Sequence, residues 1–129
     1  MSTKLSDFLG GSFQGATGKV INKVVLNNVS ANTSYTLAYT DLQAMLVYTA
    51  NTAGVTTTIT IPTNSSVNFA AGDTIHFMQG GSQQIKIQGD TGVTVNVRGG
   101  FTANTAVQWS LCSITQVSTN NWVLYGDLA

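Results

Sequence analysis

The chain is 129 residues long and carries five Lys plus Arg against five Asp, with no Glu, so its formal net charge is zero and only 8% of its residues are charged. An average globular domain carries about three times that share; this chain lacks the clustered cations that displace counterions from nucleic acid or hold a protein on an anionic membrane. No apolar run approaches the ~20 residues that cross a bilayer, no secretory apolar segment follows Met1, and a lone Cys112 excludes an intrachain disulfide framework.

In chain order, residues 1–18 read as an N-terminal anchor arm with a Gly-rich connector, and residues 19–129 as one β domain. Leu5, Phe8 and Leu9 follow an i, i+3, i+4 spacing, so one helical turn would place them on a single face. A turn that short does not hold in water alone. It is either a frayed terminus or an anchor that orders in a groove of another protein.

From Lys19 the period is two. Residues 20–26, 35–39 and 45–49 are strand candidates, with a short helical turn over 40–44 capped by Thr40 or Asp41. Residues 55–61 alternate most cleanly: Val55, Thr57, Ile59 and Ile61 on one face, Thr56, Thr58 and Thr60 on the other, until Pro62 stops the run. A short strand over 67–69 leads to the Gly72-Asp73 turn. Ile75-His76-Phe77, Ile85-Lys86-Ile87 and Val95-Asn96-Val97 then recur at a ten-residue offset, each running into glycine. A solenoid coil shares that period, but so few quasi-repeats among other strands favour an antiparallel sandwich. Residues 107–117 read as one long strand and 122–125 as the last. The expected fold is all-β, an antiparallel jelly-roll-like β-sandwich of about nine strands.

The composition also speaks to assembly. The chain has 19 Thr, 11 Ser, 11 Asn and 8 Gln, so the faces opposite its core carry hydroxyls and amides where Lys and Glu would normally stand. Charges that blunt exposed strand edges are missing, and neutral polar side chains enter an interface at modest desolvation cost. A homo-oligomer follows as the expectation.

Few residues offer chemistry. His76 and Cys112, each the single residue of its type, would make a nucleophile–base pair if they met, but no motif surrounds either. His76 reads as a surface or subunit-contact residue and Cys112 as a small buried one. Asp73 and Asp90 are the one plausible carboxylate pair for glycoside hydrolysis, yet Asp at turns is ordinarily tied to backbone. The His, Cys and Asp positions lack zinc or EF-hand spacing, and the glycines form no phosphate loop. Asn64-Ser65-Ser66 matches a glycosylation sequon, as do two segments nearer the N-terminus. Both Trp residues are assigned to the core, and Tyr35, Tyr39 and Tyr125 are candidates for an exposed aromatic site. The chain reads as a non-enzyme without cofactor or metal.

Several stretches resemble the small β-rich domains of bacteriophage virion surface proteins. They are Tyr35-Thr36-Leu37-Ala38 with Asp41, Ile59-Thr60-Ile61-Pro62, Phe69 through Gly72-Asp73-Thr74-Ile75, Gln79-Gly80-Gly81, Gly89-Asp90-Thr91-Gly92-Val93-Thr94-Val95, and the closing Asn121-Trp122-Val123-Leu124-Tyr125-Gly126-Asp127-Leu128. Residues 4–15 are similar to the attachment segment of some phage fibres, but only Gly15-Ala16-Thr17-Gly18 stands where a collagen-like shaft would follow. The resemblance implies a homotrimer on the surface of a phage particle. It points to a capsid decoration or cement knob attached to the major capsid protein, or another virion protein, through Leu5, Phe8 and Leu9. The alternative is a short tail-fibre or adhesin protein that binds a host receptor or glycan.

Overall fold

Strand alternation demands that one side of each strand be buried, and two sheets facing each other satisfy that demand. The computed structural model describes residues 25–29, 34–49 and 56–129, and the expected arm over residues 1–18 lies outside them. In the larger sheet β1 (Val25–Val29), β3 (Ala44–Tyr48), β5 (Thr74–Gln79), β8 (Leu111–Ser118), β9 (Asn121–Gly126) and β7 (Thr94–Val97) lie side by side in that order. The smaller sheet holds β2 (Tyr35–Thr36), β4 (Thr57–Ile61) and β6 (Ile85–Gly89). A 3-10 turn over Tyr39–Gln43 sits where the sequence places a helical turn, whereas residues 67–69 form no strand.

The inner faces share one core. Leu46, Tyr48, Ile75, Phe77, Ile114, Trp122 and Leu124 from the larger sheet meet Ile59, Ile61, Ile85 and Ile87 from the smaller. Phe69 from the connecting loop closes on Trp122 edge-to-face, with centroids 5.3 Å apart. Burial of this order gives each large side chain a stake of several kcal/mol; truncating Phe77 to Ala costs about 3–5 kcal/mol.

The all-β class holds; the antiparallel jelly-roll does not. Among the described residues five of the seven ladders are parallel, and only β5–β8 and β8–β9 are antiparallel. From β1 to β6 the chain alternates between sheets, and each return pairs in parallel with the strand before last, as Met45↔His76 and Ile59↔Ile87 show. This is a short two-sheet solenoid. Two of the ten-residue quasi-repeats are its half-turns, β5 in the larger sheet and β6 in the smaller; the third, β7, returns to the larger sheet but pairs with β9 at its far edge instead of with β5. Alternation and turn spacing are the same for an antiparallel meander and for a coil, because they report which face is buried and not the direction of the neighbour.

Strand β8 runs against all its sheet-mates and ends the winding. The free side of β6 is covered by the 103–105 segment, through Ile87 N–H to Ala103 O (2.9 Å) and Thr105 N–H to Ile85 O (3.0 Å). That cover is anchored by a buried polar cluster. Gln79 accepts from the Thr105 hydroxyl and donates to Gly81 O, while Thr105 Oγ1 also accepts from Ile85 N–H. Satisfying every member is what lets a buried Gln stand in this core.

Candidate functional site

The residues singled out from sequence are not brought together into a reaction centre. His76 pairs in register with Ser113, and Phe77 with Cys112, so the imidazole and the thiol project from opposite faces of the same sheet. His76 is exposed and its Nδ1 lies 2.6 Å from Ser113 Oγ. Cys112 is buried, its Sγ 3.3 Å from Asp127 O, and burial pushes the thiol up to about 11. At neutral pH it is protonated and inaccessible to a base. Asp73 accepts from Ala70 N–H and Asp90 from Thr91 N–H, each held within its own turn. Among the described residues no three His, Cys, Asp or Glu side chains cluster as a metal site would require. Leu5, Phe8 and Leu9 lie outside the described residues.

Two exposed features remain. The first is the outer face of the larger sheet. Register places Val47, Met78 and Leu111 in one cross-strand row over β3, β5 and β8, and Met45, His76, Ser113 and Tyr125 in the next. Leu111 is 49% exposed while Val47 at the other end of the row is buried, and Trp109 and Val107, in the turn that precedes β8, are 64% and 62% exposed. No ionised side chain interrupts the Val47–Met78–Leu111 row.

Trp109 was expected in the core and is found outside it. Its φ of 74° lies in the left-handed region, which costs a bulky residue roughly 1–3 kcal/mol. The surrounding turn holds it there. Trp109 N–H donates to Gln79 O (2.6 Å), Ser110 N–H to Val107 O (3.0 Å), Val107 N–H to Ser110 Oγ (2.9 Å), and Ser110 Oγ–H to Asp127 Oδ2 (2.8 Å). Gln108 adds a bond from Nε2 to Gly80 O (3.0 Å). The backbone of Trp109 is strained and pinned, and its side chain is directed outward at 64% exposure. Its signal in the sequence was an excess: residues 107–117 are apolar on both alternating sets, Val107, Trp109, Leu111 and Val117 against Cys112 and Ile114, and a sheet with one buried face can absorb only one set.

The second feature is a cleft of about 260 Å³ at the β7 edge, lined by Arg98, Phe101, Leu124, Tyr125, Gly126 and Leu128. The β7–β9 register reaches Val97↔Leu124, and one further step sets Arg98 beside Tyr125. The Arg98 guanidinium lies 4.3 Å from the Phe101 ring centroid. The Tyr125 hydroxyl is 2.9 Å from Thr115 Oγ1, which in turn is 2.8 Å from Thr74 Oγ1, so a hydroxyl chain across three strands fixes the ring. Tyr125 was legible as an exposed aromatic; Arg98 and Phe101, split across a glycine turn, carried no sequence signal.

In comparisons with known proteins, no family model, curated protein or solved structure matches the chain.

Proposed function

We propose that this chain is a non-enzymatic structural protein of a bacteriophage particle, a homotrimeric decoration or cement knob attached to the capsid shell through Leu5, Phe8 and Leu9. The observation that supports it best is the cluster of exposed apolar side chains Leu111, Trp109 and Val107, which adjoins Met78 on the uncharged outer row of the larger sheet. Contiguous exposed apolar side chains mark interaction surfaces, and an exposed Trp on a pinned turn beside them is the kind of anchor that dominates association energy. A second copy suits the row because the chain itself is nearly free of charge, so no like-charge repulsion opposes self-contact. In a trimer, arms that each bind the shell weakly act together, since docking of one raises the effective concentration of the others.

Two measurements test the reading. Sedimentation of the full chain over a wide concentration range should give a trimer that Leu111→Asp reduces to monomers with unchanged circular dichroism; a monomer at all concentrations overturns it. Deletion of residues 1–11 should leave a trimer that no longer co-sediments with phage heads. Undiminished co-sedimentation removes the anchor role from Leu5, Phe8 and Leu9.

A further inference from the structure

We propose that the cleft between Arg98, Phe101 and Tyr125 is a binding site for a six-membered ring bearing a carboxylate. Lys86 and Arg98 are the only Lys or Arg side chains among the described residues, so a cation held over the exposed Phe101 ring in a cleft is not one of many scattered surface charges. Lys86 stands exposed on the outer face of the smaller sheet, whereas Arg98 lines the concavity. The Arg98 guanidinium carbon lies 4.3 Å from the centroid of the Phe101 ring, a cation–π contact that holds the charge at the cleft. No carboxylate of the described residues pairs with the guanidinium, and a contact with a ring face consumes none of its N–H donors in a hydrogen bond. The fork of donors matches two oxygens of a carboxylate.

Tyr125 supplies the complementary part. The ring is 46% exposed and its hydroxyl is held by Thr115, so an aromatic face is offered with its rotation already fixed. Leu124 and Leu128 make the floor apolar. At about 260 Å³ the cleft takes one ring and not a chain of them. A carboxylate at Arg98 with its ring against Tyr125 satisfies both halves. Two sources share this chemistry, a hexuronate unit of a saccharide and an aromatic acid. The inference is independent of the assembly reading: the row at Val47, Met78 and Leu111 lies over β3, β5 and β8, while the cleft lies over β9 and β7.

The test is an NMR titration of the full chain, in whatever association state it adopts, with glucuronate, benzoate and glucose as separate probes. Saturable shifts confined to Arg98, Phe101, Tyr125 and their neighbours are expected with at least one acid and not with glucose. Response to glucuronate alone assigns a saccharide source, and response to benzoate alone an aromatic one; response to both assigns the shared chemistry. Arg98→Gln should weaken the binding ~10- to 100-fold, the loss of one charge-assisted pair, while Lys86→Gln leaves it unchanged. The proposal is overturned by silence from both acids, by glucose binding as well as glucuronate, or by equal loss in the two variants.

Discussion

Asn64 and Asn120 exchange hydrogen bonds in both directions: Asn64 N–H donates to Asn120 Oδ1 (2.7 Å) and Asn120 N–H to Asn64 Oδ1 (2.8 Å). The pair joins the loop after β4 to the β8–β9 hairpin, where Asn120 takes a φ of 56°. Asn64 Nδ2 also donates to Phe69 O (2.6 Å), and Gln116 Nε2 reaches Asn64 Oδ1 (3.2 Å). Truncating this amide strands several part-buried partners at once, so Asn64→Ala should cost about 2–4 kcal/mol in chemical denaturation. Asn64→Asp, which keeps the acceptor oxygen and loses the donor, should cost less. The same geometry means that the sequon at Asn64 marks a structural amide committed to the fold.

Trp109 separates presentation from stability. Glycine accepts a φ of 74° without steric cost, so Trp109→Gly should change unfolding free energy by no more than about 1 kcal/mol, while self-association weakens markedly by sedimentation. Trp109→Ala keeps the strain and loses the indole. It should be the less stable of the two and equally poor at associating.

Cys112 gives a pH signature of known sign. Its folded-state value is raised from 9.0 to about 11 by burial. Between those values the unfolded chain sheds a proton that the folded chain keeps, so stability present below pH 9 is lost as pH rises toward 11. Denaturation midpoints should fall across that window, and Cys112→Ala should flatten the fall. At neutral pH the native thiol should react with a thiol reagent only as fast as the domain opens.

Gly126 and Gly99 make a matched contrast. A Cβ at Gly126 would lie 2.6 Å from Leu111 O and 2.8 Å from Cys112 Cα, at a φ of 118°. Both contacts are backbone of β8 and cannot yield without parting the β8–β9 pair. Gly126→Ala should therefore cost several kcal/mol, about 3 or more, and lower the melting temperature accordingly. A Cβ at Gly99 meets nothing within 4 Å, and Gly99→Ala should be close to neutral.

Much of the local structure was legible. Thr57, Ile59 and Ile61 point inward and Thr58 and Thr60 outward as their alternation requires, and His76 stands away from Ile75 and Phe77. What alternation cannot carry is partner direction. The same Ile75-His76-Phe77 fits between parallel β3 and antiparallel β8, because side-chain period is a property of one strand and strand direction a property of two. The long strand expected over 107–117 failed at its start for a different reason. The bonds that turn residues 107–110 aside come from Gln79, Gly80 and Asp127, distant in sequence, and they hold Trp109 outward against its own preference for burial. The cleft was invisible for the same cause: Arg98 and Tyr125 meet only once β7 has been laid beside β9.

The winding of the two sheets has a consequence for how such a domain can change in size. At one end the winding stops, at the reversal of β8 and at the 103–105 segment against β6, and the larger sheet runs on through β9 to its edge strand β7. At the other, β1 and β2 each have a single neighbour among the described residues. A further pair of strands paired in parallel with β1 and β2 would copy the way β1 meets β3 and β2 meets β4. At the far end the register of the coil is already broken, because β7 is separated from β5 by β8 and β9, so a strand added there lengthens a sheet and not the winding.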